Sequence, residues 1–155
     1  EKITNFLNLF HNYMNMQVKN ISDLKCNIPD FDNFSKDIIK YKHIIDSGRL
    51  SEWYCSILFE LKLSDKYNEL FDAVDKEGSK VEIKQRKVFN QAIPAGMVID
   101  LSRISYVLLV ELNNLLLPKR IYKINVEYIT PLPNGRVSFK KSFQENKFEL
   151  LFQEG

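Results

Sequence analysis

Cysteine and histidine are almost missing from this chain, with two of each in 155 residues. Cys26 and Cys55 lie far apart and show no CxxC spacing, which argues against a disulfide framework and against a thiolate zinc site. His11 and His43 are equally isolated, so a histidine-based metal centre has no ligand set. Also missing are any apolar run of about 18 residues, the length a membrane-spanning helix needs, and any stretch that reads as a signal peptide. Two unpaired, buried cysteines suit a reducing, cytoplasmic setting. No internal repeat is visible. Charge of one sign is lacking too, since 22 basic and 20 acidic side chains leave a formal +2. Without a global field, any basic surface for nucleic acid has to be local. The first residue is Glu1 rather than Met, as in a piece of a longer protein.

What is present is enough apolar content for one real core: 45% of residues are hydrophobic and 27% charged. The first half reads as helical. In "ITNFLNLFHNYMNM", Ile3, Phe6, Leu7, Phe10 and Tyr13 or Met14 fall on one stripe at helical spacing. "IPDFDNFSKDIIKYKHIIDSG" has an Asp/Asn/Ser-rich entry, then Ile38, Ile39, Tyr41 or Lys42 and Ile45, with Gly48 as its end. A third helix, "RLSEWYCSILFELKLS", puts Leu50, Trp53, Tyr54, Ile57, Leu58 and Leu61 on its inner face. The best linker lies around Asn27 to Asn33.

From Tyr67 the pattern changes to strands. "ELFDAVD" and "SKVEIKQRK" flank a glycine-containing turn, and "ISYVLLVEL", Ile104 to Leu112, is the near-continuous apolar run of a central strand covered on both faces. "RIYKINVEYI" alternates, with Tyr122, Ile124, Val126 and Tyr128 on one side. Tyr122, Tyr128 and the phenylalanines of the tail read as core, as does Trp53. "NQAIPAGMVIDLSR" reads as a loop and a short helix. The tail, "GRVSFKKSFQENKFELLF", fits either a hairpin or a strand plus helix. The fold class is α/β, with a mixed central sheet of about five strands flanked by helices. It is one domain, divided into an N-terminal helical extension (1–47), a core (48–130) and C-terminal elements (131–155).

The hairpin "FDAVDKEGSKVEIKQRK" carries charge where burial should be greatest. Ionised groups taken from water cost several kcal/mol unless paired or metal-bound, so these side chains are either solvated or form a site. A three-residue loop, Lys76-Glu77-Gly78, with Gly78 left-handed in a G1 bulge, sets Asp75 against Ser79 and Asp72 against Glu82. Asp72, Val74, Glu82, Lys84 and Arg86 then share one face, and Phe71, Ala73, Val81 and Ile83 the other, core-facing one. A two-residue loop mixes polar and apolar on both sides, so the clean segregation selects the longer turn. Asp75 is left as a turn residue bonding nearby backbone N–H groups. Asp72 and Glu82 sit across the pair at roughly 5 Å between Cβ atoms, with Lys84 two residues on. Two carboxylates so close repel unless they share a cation, and Mg²⁺ suits a pair of carboxylates completed by water and phosphate oxygens.

Asp72, a turn, then Glu82-Ile83-Lys84 resembles the signature of the PD-(D/E)xK nuclease superfamily, to which many type II restriction endonucleases belong. The family's core is a helix leading into a mixed sheet whose second and third strands carry the aspartate and the (D/E)xK residues. The resemblance covers roughly Gly48 to Ile129, and Glu52 lies where many members carry a glutamate on the first helix. The residue before the aspartate is Phe71 where the motif has proline, a departure that many members share. What the resemblance implies is a restriction-endonuclease-like core and Mg²⁺-dependent hydrolysis of DNA phosphodiester bonds, with Mn²⁺ as a substitute. Asp72, Glu82 and the Ile83 carbonyl would hold the ion, Lys84 would orient the attacking water, and Glu52 would act on a second metal or a bridging water. No nucleotide cofactor and no membrane is implied.

Gln85, Arg86 and Lys87 follow the motif and are candidates for DNA contact. Lys80, Lys119, Arg120, Lys140 and Lys141 are further candidates for phosphate contacts, which position DNA without specifying sequence. Double-stranded DNA is the expected partner, and cutting both strands of a palindrome calls for a homodimer. A repair or junction-resolving nuclease of the same fold is an alternative. So is a non-catalytic nucleic-acid-binding or interaction module in which Asp72 and Glu82 are paired with lysines instead of metal.

Overall fold

The computed structural model describes residues 5, 8, 31–41, 46–65, 70–87 and 95–154. Most of the first predicted helix, and most of the linker around Asn27 to Asn33, lie outside the described residues. Helix α1 spans Phe31–Lys40 and α2 spans Ser47–Phe59. Gly48, expected to close the earlier helix, instead opens α2. The cause is Asp46, whose carboxylate accepts from the N–H groups of Gly48 (3.0 Å) and Arg49 (3.3 Å) and so caps a new helix there. Leu50, Trp53, Tyr54 and Ile57 follow at helical spacing and are all buried. The helix is shorter than expected: Glu60 turns left-handed at φ 52°, and Lys62–Leu63 form strand β1.

Strands β2 (Ala73–Val74), β3 (Lys80–Lys87), β4 (Ala95–Val98), β5 (Tyr106–Leu112), β6 (Pro118–Asn125), β7 (Thr130–Pro131), β8 (Arg136–Ser138) and β9 (Glu149–Gln153) follow. Five of them join β1 in a mixed sheet of order β1-β2-β3-β5-β6-β9, in which only β3 and β5 run parallel. β4, β8 and β7 make a second, three-stranded sheet. Strand β4 stands where a loop was expected; its backbone pairs with β8, a long-range partner that no local signal marks. The tail supplies β8, the short helix α3 (Lys140–Gln144) and β9, which contains the strand-plus-helix reading and not the hairpin, since β8 and β9 lie in different sheets and β9 is the edge strand of the main one. Val126–Tyr128 leave the β6 alternation as a 3₁₀ turn, which exposes Tyr128 to 38% and removes it from the expected core.

Every residue of β5 is buried, as expected of a strand covered on both faces. Tyr106, Leu108, Val110 and Leu112 pack with Val81, Ile83 and Ile121 against the α1–α2 layer, where Ile38, Leu50, Trp53 and Cys55 meet them. Val107 and Leu109 pack with Tyr122 and Ile124 against Ile99, Ile129, Val137 and Phe139. Among the described residues α1 and α2 therefore cover one face of the sheet, while the small sheet and the short α3, through Phe143, cover the other. No helix among the described residues is long and apolar enough to cross a membrane.

Candidate functional site

The turn of the hairpin has the expected register. Ala73 pairs with Val81 and Val74 with Lys80, Asp75 N–H bonds the Ser79 carbonyl, and Gly78 has the left-handed φ of 83°. The Asp75 carboxylate accepts from Glu77 N–H (3.0 Å), Ser79 N–H (2.8 Å) and the Tyr106 hydroxyl (2.9 Å). Partial burial raises its pKa, but these bonds outweigh that and hold the group below the usual carboxylate range.

At the other end the pairing gives out after two residues. Asp72 N–H, which regular pairing would turn away from β3, instead bonds the Val81 carbonyl at 3.0 Å. This irregularity breaks the alternation, so Phe71 packs into the second cluster and does not join Ala73, Val81 and Ile83 on the helical side as expected. Ser64 holds the bend: its backbone N–H donates to the Asp72 carbonyl (2.9 Å) and its hydroxyl to the Phe71 and Asp72 carbonyls.

The Asp72 carboxylate accepts from Ile83 N–H at 2.7 Å. In a strand, the N–H and C=O of one residue point to the same edge. The Ile83 carbonyl therefore points to the same edge of β3 as Asp72, past the end of β2. Glu82 and Lys84, on the other face of β3 from Ile83, are an ion pair with Nζ–Oε1 at 2.7 Å. Glu52, on α2, is only 6% exposed, and Arg49 one turn back bonds its Oε2 at 2.8 Å. The half-buried Asp72 is pushed up to about 6, first by desolvation, against the Ile83 N–H bond, and then by the charges of Glu82 and Glu52, with Lys84 opposing. Burial also raises the Cys55 thiol, and Glu52 and Asp72 add to it. Asp72 thus feels the charges of three other sequence-nominated side chains, Glu82, Lys84 and Glu52.

Two carboxylates and a backbone carbonyl are a hard, all-oxygen donor set, which fits Mg²⁺ or Mn²⁺ and does not fit a soft metal. Among the described residues no three His, Cys, Asp or Glu side chains are gathered closely enough to hold a metal by themselves. The Ile83 carbonyl and solvent or substrate oxygens would have to complete the shell.

The residues nominated for DNA contact are placed differently. The Gln85 amide donates to the Ser47 hydroxyl at 2.6 Å, facing α2. Arg86 bonds Glu111 Oε1 at 2.7 Å, and Arg120 takes Glu111 Oε2 from the next strand, with Nη2–Oε2 at 3.0 Å. Glu111 is 1% exposed, so both guanidiniums serve a buried carboxylate before anything outside. For Lys87 only the backbone, the last residue of β3, is described. Sequence reasoning missed Arg49, Ser64 and Glu111. The i,i+3 spacing to Glu52 marks Arg49, and Glu111 is the lone charge in an apolar strand. Nothing in the sequence marks Ser64, which acts through a backbone bend. No protein-family model matches this chain, and no curated protein is similar enough in sequence to count as a relative.

Proposed function

We propose that this chain is a Mg²⁺-dependent endonuclease hydrolysing DNA phosphodiester bonds, built on a restriction-endonuclease-like core. The observation that carries the reading is Asp72, bonded to Ile83 N–H and near enough to the Glu82–Lys84 pair for both charges to act on it, with the Ile83 carbonyl on the same edge of β3. The order of elements supports it: α2 leads into a mixed sheet whose second and third strands border Asp72 and carry Glu82 and Lys84. Asp72, Glu82 and the Ile83 carbonyl would hold the ion. When bound, such an ion lowers the pKa of a water and neutralises charge gathering on the phosphate. Lys84, fixed by its bond to Glu82, orients the attacking water and places a cation beside the phosphate. Glu52, clamped by Arg49, adds a negative charge that favours cation binding at Asp72. A homodimer acting on duplex DNA, with one site for each strand, belongs to the same proposal.

The Lys84–Glu82 ion pair also favours a second reading, a non-catalytic nucleic-acid-binding module in which lysine replaces metal. Supercoiled plasmid separates the two. With Mg²⁺ the protein nicks it, with EDTA it does not, and Lys84→Ala loses the activity while its circular-dichroism melt stays that of a folded protein. DNA binding without cleavage under any divalent ion would establish the module instead. Absence of both would remove DNA from the account.

A further inference from the structure

The polar stripe of β3 does not end at Glu82. Strand alternation puts Lys80 on the same face as Glu82 and Lys84, one pleat earlier, about 6.6 Å along the strand. There the surface opens into a cleft of about 490 Å³ whose lining includes Leu70, Phe71, Lys80, Ser102 and Arg103. Its two charged lining residues are both cations. The Lys80 ammonium is held over the Phe71 ring, 5.1 Å from the centroid, which fixes a positive charge next door to Asp72. Arg103 is held by Asp100 through Nε–Oδ2 at 2.7 Å, and both partners are about half exposed. An exposed pair of this kind contributes little and is readily exchanged for another anion. The Asp100 carboxylate has a substitute donor close by, since Ser102 already gives it both its N–H and its hydroxyl. Leu70, 65% exposed, and Phe71 supply an apolar wall. A second cleft among the described residues has Glu127 and Glu145 among its lysines and so offers an anion no comparable field.

Cations at one end, an apolar wall beside them and a candidate hydrolytic centre one pleat away are the features that a nucleotide unit next to the cut would need. We propose that this cleft binds the DNA strand on one side of the scissile phosphate, with Lys80 and Arg103 on the neighbouring phosphate and Phe71 and Leu70 against its sugar or base. The inference rests on the reading of the Asp72–Glu82–Lys84 edge as the place where DNA is cut. Lys80 and Arg103 position substrate and take no part in bond breaking.

The test is a salt titration of binding to a short fluorescent DNA duplex in EDTA, where cleavage is blocked. Each lost phosphate contact lowers the slope of log K against log salt by about 1. Lys80→Ala/Arg103→Ala is expected to lower it by about 1 to 2, equally for every duplex sequence, because phosphate contacts carry no base information. Lys36→Ala, an exposed lysine on the helical layer, is expected to leave the slope unchanged. Plasmid nicking by the wild type is measured alongside. A wild type that nicks, with a double variant whose slope equals its own, overturns the cleft and leaves the nuclease. A reduced slope in a protein that never nicks supports the cleft and removes the hydrolysis. A wild type that neither binds nor nicks overturns both.

Discussion

Asp72 and Asp75 are the same residue at opposite ends of one two-residue strand, yet the fold treats them in opposite ways. At the turn, Asp75 is surrounded by donors (two backbone N–H groups and the Tyr106 hydroxyl), and its carboxyl is held low. At the open end, Asp72 has the Ile83 N–H but also burial and two neighbouring carboxylates, and it is pushed up to about 6. An aspartate whose charge is fully answered by the protein has a structural role. On the proposed reading, one whose charge is opposed is where a bound cation would be favoured. The difference lies first in burial and then in how many donors and neighbouring charges each site offers, since residue type and distance from the strand are matched.

The largest effect should separate the two aspartates by activity. Partners that merely orient a metal ligand cost about 10–100-fold when removed, so losing a ligand itself should cost about 100-fold or more. Asp72→Ala is therefore expected to abolish Mg²⁺-dependent plasmid nicking, while Asp75→Ala stays within a few-fold of wild type. Equal losses in the two variants would break the comparison. The order reverses for stability. Asp75→Ala strips three donors of their acceptor and should cost about 1–2 kcal/mol in urea melts.

Asp72→Asn should do the opposite, and with a pH signature. The folded pKa lies above the unfolded one, so Asp72 favours the fold below pH ~4 and loses that contribution as pH rises to about 6. Removing the charge is then expected to stabilise the metal-free protein by about 1–2 kcal/mol above pH 7, once solvent screening of a half-buried group is allowed for. The gain should vanish below pH ~4. A pH series of thermal melts in EDTA checks it, and a gain that is constant with pH would contradict the assignment. The smallest effect belongs to Arg49. Arg49→Ala leaves Glu52 less neutralised and should move the Asp72 titration upward by roughly half a pH unit or less, read by carboxyl-carbon NMR.

Much of this site is legible in the sequence. The segregation of polar and apolar residues about Lys76-Glu77-Gly78 selects a register, and the strands have that register where they pair. The helix with Glu52 and the doubly covered β5 are equally visible, because both rest on periodicity over many residues. Phe71 is misplaced by alternation because alternation presumes a regular strand, and β2 is regular for only two residues. Proximity to the motif nominates Gln85 and Arg86 for DNA, although alternation along β3 already puts Gln85 on the core side. Their actual partners, Ser47 and Glu111, lie 38 and 25 residues away. β4 reads as a loop because its pairing with β8 leaves no mark within its own four residues.

The chain by itself determined which side chains share a face of β3, since two-residue periodicity and turn length are local properties of the backbone. It also determined that β5 would be central, since an unbroken apolar run has to be covered on both sides. Only the tertiary structure decided which of two identical aspartates carries an opposed charge. That depends on where Glu52, Lys84 and the Ile83 N–H come to rest in space, and electrostatic energy follows distance and burial, which the sequence does not state.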